Sequence, residues 1–166
     1  QTQRKHYFWT VDPEIAKLIK IARRQDNKGE IGYHHIELNV MKTPVELHFF
    51  PSFMGNIVHE KRLRRWFDDH KDEQFRNMVQ LPDGLGTICI PTNSFNVVFQ
   101  LSHLMHHFFF EGIGLRQMID YYYLLRRRLT PDEKQQVLGT LRLTGMLKFA
   151  SAVTYIMRDV LGLDDE

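Results

Sequence analysis

Cysteine is nearly absent from this chain. A single one, Cys89, in 166 residues excludes an internal disulfide and any cysteine-rich zinc site. Long apolar runs are missing as well. Phe95 to Phe110 comes nearest to the ~20 residues that a membrane helix needs, but it is short and holds three histidines. No signal-peptide pattern opens the sequence, so a cytoplasmic protein with no membrane partner is the expectation. Charge of one sign is lacking too. Lys and Arg number 22 against 20 Asp and Glu, a net +2 mixed along the chain, which gives no strong nucleic-acid signal. Repeats and low-complexity segments do not occur. Apolar residues, by contrast, are plentiful. At 43% hydrophobic and 12% aromatic, the chain can pack one domain, or two lobes sharing a core.

The densest apolar stretch is FNVVFQLSHLMHHFFFEGIGLRQMIDYYYLL, Phe95 to Leu125. Phe95, Val98, Phe99, Leu101, Met105, Phe108 and Phe109 recur at helical spacing on a face so broad that the helix is expected to be buried nearly all round. Gly112 should cap it, and a second helix resumes from Leu115.

Upstream, His6 to Val11 reads as a strand, and Asp12-Pro13-Glu14 as the start of a helix through Ile15, Leu18, Ile19 and Ala22. HHIELNV and VELHFF alternate apolar and polar residues around a short turn at 41–44, which predicts an antiparallel hairpin. Leu63, Trp66 and Phe67 mark a shorter helix, Asp83-Gly84 a turn, and Thr87 to Ile90 a strand in which Cys89 should be buried and inert. Pro91-Thr92-Asn93-Ser94 supplies caps for the central helix. Thr130-Pro131-Asp132-Glu133 is a capping box, and Gly145 and Gly162 bound a last helix. The expected class is α+β, a sheet portion over 1–90 and a helical portion over 91–166.

Three groups could carry chemistry. His103, His106 and His107 form HxxHH, a spacing that could hold zinc in a hydrolase, although no carboxylate or cysteine joins them at ligand spacing; the alternative is that they hydrogen-bond within a crowded helix–helix seam. His34-His35 is a similar candidate. Glu37, Glu46 and His48 lie on the polar side of the hairpin, where two carboxylates across a strand pair could reach one Mg²⁺; a solvated sheet face looks the same. Arg62, Arg64 and Arg65, with the Arg126-Arg127-Arg128 run, could meet phosphate or simply face water.

Val45-Glu46-Leu47-His48, Pro91-Thr92-Asn93-Ser94-Phe95-Asn96 and Glu111-Gly112-Ile113-Gly114-Leu115-Arg116-Gln117, within a match over nearly the whole chain, resemble a bacterial nucleotidyltransferase family common in Bacteroidetes. It belongs to the polymerase-β-like nucleotidyltransferase superfamily. The resemblance implies a small carboxylate-bearing sheet with flanking helices, a helical portion behind it, and Mg²⁺-dependent transfer of a nucleotidyl group from a nucleoside triphosphate to an acceptor. It implies that Glu46 is the third metal carboxylate. The paired acids of a Gly-Asp-x-Asp strand and a Gly-Ser phosphate turn occur nowhere in the sequence; Lys5 and Tyr7 stand where the acids would fall. Either that strand lies upstream of Gln1 in a longer parent or the site has degenerated. The expectation for this chain is an inactive transferase-like protein, the alternative a non-catalytic binding module built on the same fold.

Overall fold

The computed structural model describes residues 35–40 and 43–48 as backbone, and residue 52 and residues 54–164 with their side chains. The expected strand at His6–Val11, the helix after Asp12-Pro13, Lys5, Tyr7 and His34 lie outside the described residues. The chain divides into two compact units, Gln1–Pro51 and Ser52–Glu166.

In the first unit, β1 (His35–Val40) and β2 (Thr43–His48) pair antiparallel, as the alternation predicts. The turn is tighter than expected, because Thr43 and Pro44 already belong to β2, opposite Val40 and Asn39.

The second unit is helical around one core. Helix α1 (Ile57–Gln74) starts where Asn56 Oδ1 accepts the backbone N–H groups of Val58 at 3.0 Å and His59 at 3.1 Å, satisfying donors that a helix start leaves orphaned. Leu63 and Phe67, four residues apart, are its buried face. The rings of Phe67 and Phe95 lie 5.4 Å apart, tying α1 to the central helix. The second compact unit begins at Ser52, ahead of α1, and α1 shares the core of the helices that follow.

Two short strands follow, β3 (Met78–Gln80) and β4 (Thr87–Cys89), around a turn in which Asp83 and Gly84 both take positive φ, 56° and 70°. The alternation rule missed β3. Every residue of this ribbon is exposed, and Cys89 with it. The burial expected for Cys89 is thus corrected: an apolar run is buried only if a second layer covers it, and no described residue buries this two-stranded ribbon.

Helix α2 (Asn93–Phe110) is capped by Thr92, and α3 (Leu115–Leu125) by Gly114, whose N–H donates to Gln117 Oε1 at 2.7 Å. Between them Gly112 takes φ 93°, the left-handed turn expected of it. Helix α4 (Pro131–Leu143) carries the expected capping box. Thr130 N–H donates to Glu133 Oε2 at 2.8 Å, while the Glu133 N–H donates to Thr130 Oγ1 at 3.3 Å. At Gly145 (φ 74°) the chain turns into α5 (Leu147–Asp159). A Cβ here would overlap the imidazole of His59, so the glycine is needed twice over, for its φ and for the space.

Leu63, Val98, Leu101, Met146 and Met157 form the fully buried centre. The buried stripe of α2 is Val97, Val98, Leu101, Leu104, rotated from the expected one toward Leu104. Burial all round does not hold. Phe99 is half-buried against the core, but Phe108, Phe109 and Phe110 are 55%, 64% and 60% exposed. The period was right; the last turn of α2 simply runs past the described helices that cover the rest. In coarse class, the described residues are α+β, five α-helices with two antiparallel strand pairs.

Candidate functional site

The hairpin register decides which polar residues can act together. Glu37 stands directly opposite Glu46, and His35 opposite His48. The apolar positions pair with each other in the same way, Ile36 with Leu47 and Leu38 with Val45. A one-residue slip would separate the two glutamates, so the sorting of apolar from polar positions holds the carboxylates in register. Both glutamates named from the sequence are thus brought together along the backbone, with His48 two positions beyond Glu46.

The histidines of α2 are hydrogen-bonded, as the alternative to metal binding has it, but to one another and to a partner the sequence reading did not name. His103 Nε2 and His107 Nε2 lie 2.9 Å apart, and His107 Nδ1 lies 2.9 Å from Glu111 Oε2. His106, buried, places Nε2 3.3 Å from the other oxygen, Oε1, of Glu111. Glu111 is the carboxylate thought to be missing, and its signal was legible as the i, i+4 step from His107. It turns back because it is the C-cap, its N–H and that of Gly112 both donating to His107 carbonyl oxygen at 3.0 and 2.7 Å. A carboxylate only accepts, so His107 donates from Nδ1, and of the two facing Nε2 atoms of His103 and His107 one donates to the other. The imidazoles are engaged with one another and with Glu111. Among the described residues, no group of three or more His, Cys, Asp or Glu is arranged to hold a metal ion.

No protein-family model, curated protein or solved structure matches the chain.

The basic candidates separate into three kinds. Arg62 donates from Nη1 to Leu143 carbonyl oxygen at 3.1 Å, closing the end of α4, and Arg64 is ion-paired with Glu60 one turn earlier. These two serve the packing of α1. Arg65 is exposed. In the other run, Arg126 sits 5.9 Å from the centroid of the Tyr122 ring, a cation–π distance. Arg127 and Arg128 instead line a cavity of about 600 Å³ between α4 and α5. That cavity had no single signal in the sequence, because its walls come from four separate segments.

No described helix is long and apolar enough to cross a membrane.

Proposed function

We propose that this chain is a nucleotidyltransferase-like protein that binds a nucleoside triphosphate with Mg²⁺ through Glu46 and Glu37 and does not itself complete nucleotidyl transfer to an acceptor. The observation that carries the reading is the register setting Glu37 opposite Glu46. Opposed positions on antiparallel strands bring Cβ atoms within about 5 Å, close enough for two carboxylates to share one cation. Mg²⁺ prefers oxygen ligands and is commonly held by one or two carboxylates together with substrate phosphates. Two glutamates fit one such ion. They do not fit the three-carboxylate, two-ion set that transfer implies, since no Asp-x-Asp occurs in the sequence.

Bound there, the ion would neutralise and orient the triphosphate. The protein's own part is to hold the ion: Glu46 supplies one anionic oxygen ligand, Glu37 a second, and His48 a donor beside them. Without an Asp-x-Asp pair a second ion would lack the carboxylates that hold it against the acceptor oxygen, and activation of the nucleophile would be lost. Single electrostatic contacts to a transition state are worth roughly 3–4 kcal/mol, so losing two removes turnover from view.

The test has two readouts. Equilibrium binding of each nucleoside triphosphate, with and without Mg²⁺, should show Mg²⁺-dependent binding that weakens at least tenfold in Glu46→Gln. Incubation with labelled triphosphates and a cell extract as acceptor source should give no transferred label. Binding that ignores both Mg²⁺ and Glu46 overturns the site. Label transfer that disappears in Glu46→Ala makes the chain an active transferase and overturns the inactivity.

One observation favours a second reading, a non-catalytic interaction module. Phe108, Phe109 and Phe110 are exposed together at the end of α2, with Phe149 of α5 packed 5.7 Å from Phe108. Exposed apolar patches of this kind mark contact surfaces. This reading predicts no nucleotide binding under any metal condition.

A further inference from the structure

The cavity between α4, α5 and the loop joining α3 to α4 has a composition that selects a ligand class. Its inner wall is apolar, built from Val97, Val137, Leu141, Leu147 and Ala150. Basic side chains stand around it: Arg127, Arg128, Lys134 and Arg158. Among the described residues Asp164 is the one carboxylate in the lining, and Asp159, outside it, accepts from Arg158 Nε at 2.8 Å. With Arg128 and Arg158 set aside as engaged, Arg127 and Lys134 still outnumber the one carboxylate among the described lining residues. At about 600 Å³ it is within the usual span of small-molecule pockets, roughly 300–1,000 Å³.

Tyr121 adds a second observation. It lines the same cavity while being only 3% exposed, and burial alone pushes its phenol well above the ordinary tyrosine range. An ordinary tyrosine is already protonated at neutral pH and burial only strengthens this, so Tyr121 adds no negative charge to the lining. An apolar interior with a cationic rim suits neither a neutral hydrocarbon, which would leave the rim unused, nor a free inorganic anion, which would leave the walls uncovered.

We propose that this cavity binds an amphiphilic anion, an alkyl carboxylate whose chain lies along Val137, Leu141 and Leu147 and whose head is held by Arg127 and Lys134. The site belongs wholly to the helical unit and is independent of the hairpin carboxylates. Burial of each methylene contributes about 0.8 kcal/mol, so affinity should rise with chain length until the cavity is full. Exposed cations contribute less individually and fade with salt.

Calorimetric titration of the full chain with decanoate, decanol and inorganic phosphate tests the assignment. Decanoate is expected to saturate at one equivalent, and to bind at least tenfold more tightly than decanol or phosphate. The paired change Arg127→Glu with Lys134→Glu should remove most of that preference for decanoate over decanol. Thr154→Trp, at an exposed position lining the cavity, should crowd it and weaken binding of both. Circular-dichroism melts of the variants check that each remains folded. Equal affinity for decanoate and decanol would overturn the anion selection. Phosphate binding as tight as decanoate would reduce the site to a surface anion patch. Absence of saturable binding, or full binding in a folded Thr154→Trp protein, would mean that this cavity is not the site.

Discussion

Two residues of α2 separate what hydrophobic periodicity can and cannot decide. Leu101 is fully buried, touched on all sides by the core, whereas Phe109 is 64% exposed although it lies on the same sequence pattern. Leu101→Ala should therefore destabilise by about 2–5 kcal/mol, through lost transfer energy and the cavity left behind. Phe109→Ala should cost less than about 1 kcal/mol, because a mostly exposed ring loses little contact on truncation. Urea melts of the two variants decide it; a large loss for Phe109→Ala would mean that the end of α2 is covered after all. Periodicity identifies the helix and its approximate face. It carries no information about how far along the helix its neighbours extend, and this is why Phe99 and Phe109 look alike in sequence and differ in burial. Cys89 failed for a related reason. The run Thr87–Ile90 is apolar, but burial depends on a covering layer that only the rest of the chain could supply.

At the scale of elements, local signals were the most reliable. Thr130-Pro131-Asp132-Glu133 and Thr92 all form the caps their sequence specifies, since a cap is settled within four residues. The Glu133 carboxyl is held below its ordinary range, first by the backbone N–H of Thr130 and then by the Thr130 hydroxyl. A depressed folded-state pKa contributes stability that is present above the unfolded value, near 4.3, and is lost as pH falls through the lower folded value. The melting temperature of the native chain should thus exceed that of Glu133→Gln at neutral pH, and the difference should shrink as the pH falls below the unfolded carboxyl value. A gap that stays constant with pH would assign the effect to packing instead. The His103–His107–Glu111 chain shows the other side. All its members were visible at helical spacing, but joining them needed the C-cap geometry at Glu111 and Gly112 that bends the carboxylate back. Periodicity and capping give the helices; the link between their ends lies in the turn.

For the whole molecule, the composition shift near residue 90 and the start of the helical core are separate questions. A composition shift there marks the change from short strands to long helices, but it does not mark where contacts stop. Leu63 and Phe67 of α1 are buried with the helical core, and the rings of Phe67 and Phe99 approach to 6.3 Å. The compact unit accordingly begins at Ser52. Two excised pieces distinguish the boundaries. Residues 52–166 should retain a cooperative thermal transition with a helical spectrum, because α1 through α5 and the core they share are all included. Residues 91–166 lose both α1 side chains, and with them the face against which Phe95 and Phe99 pack. Each loss is comparable to deleting a buried Leu or Phe, about 2–5 kcal/mol, and two such losses approach the whole stability of a small domain. The shorter piece should therefore melt without a cooperative transition and bind hydrophobic dyes. Equal cooperativity in the two pieces would show that α1 is an accessory to the core, and would return the boundary to the start of the central helix.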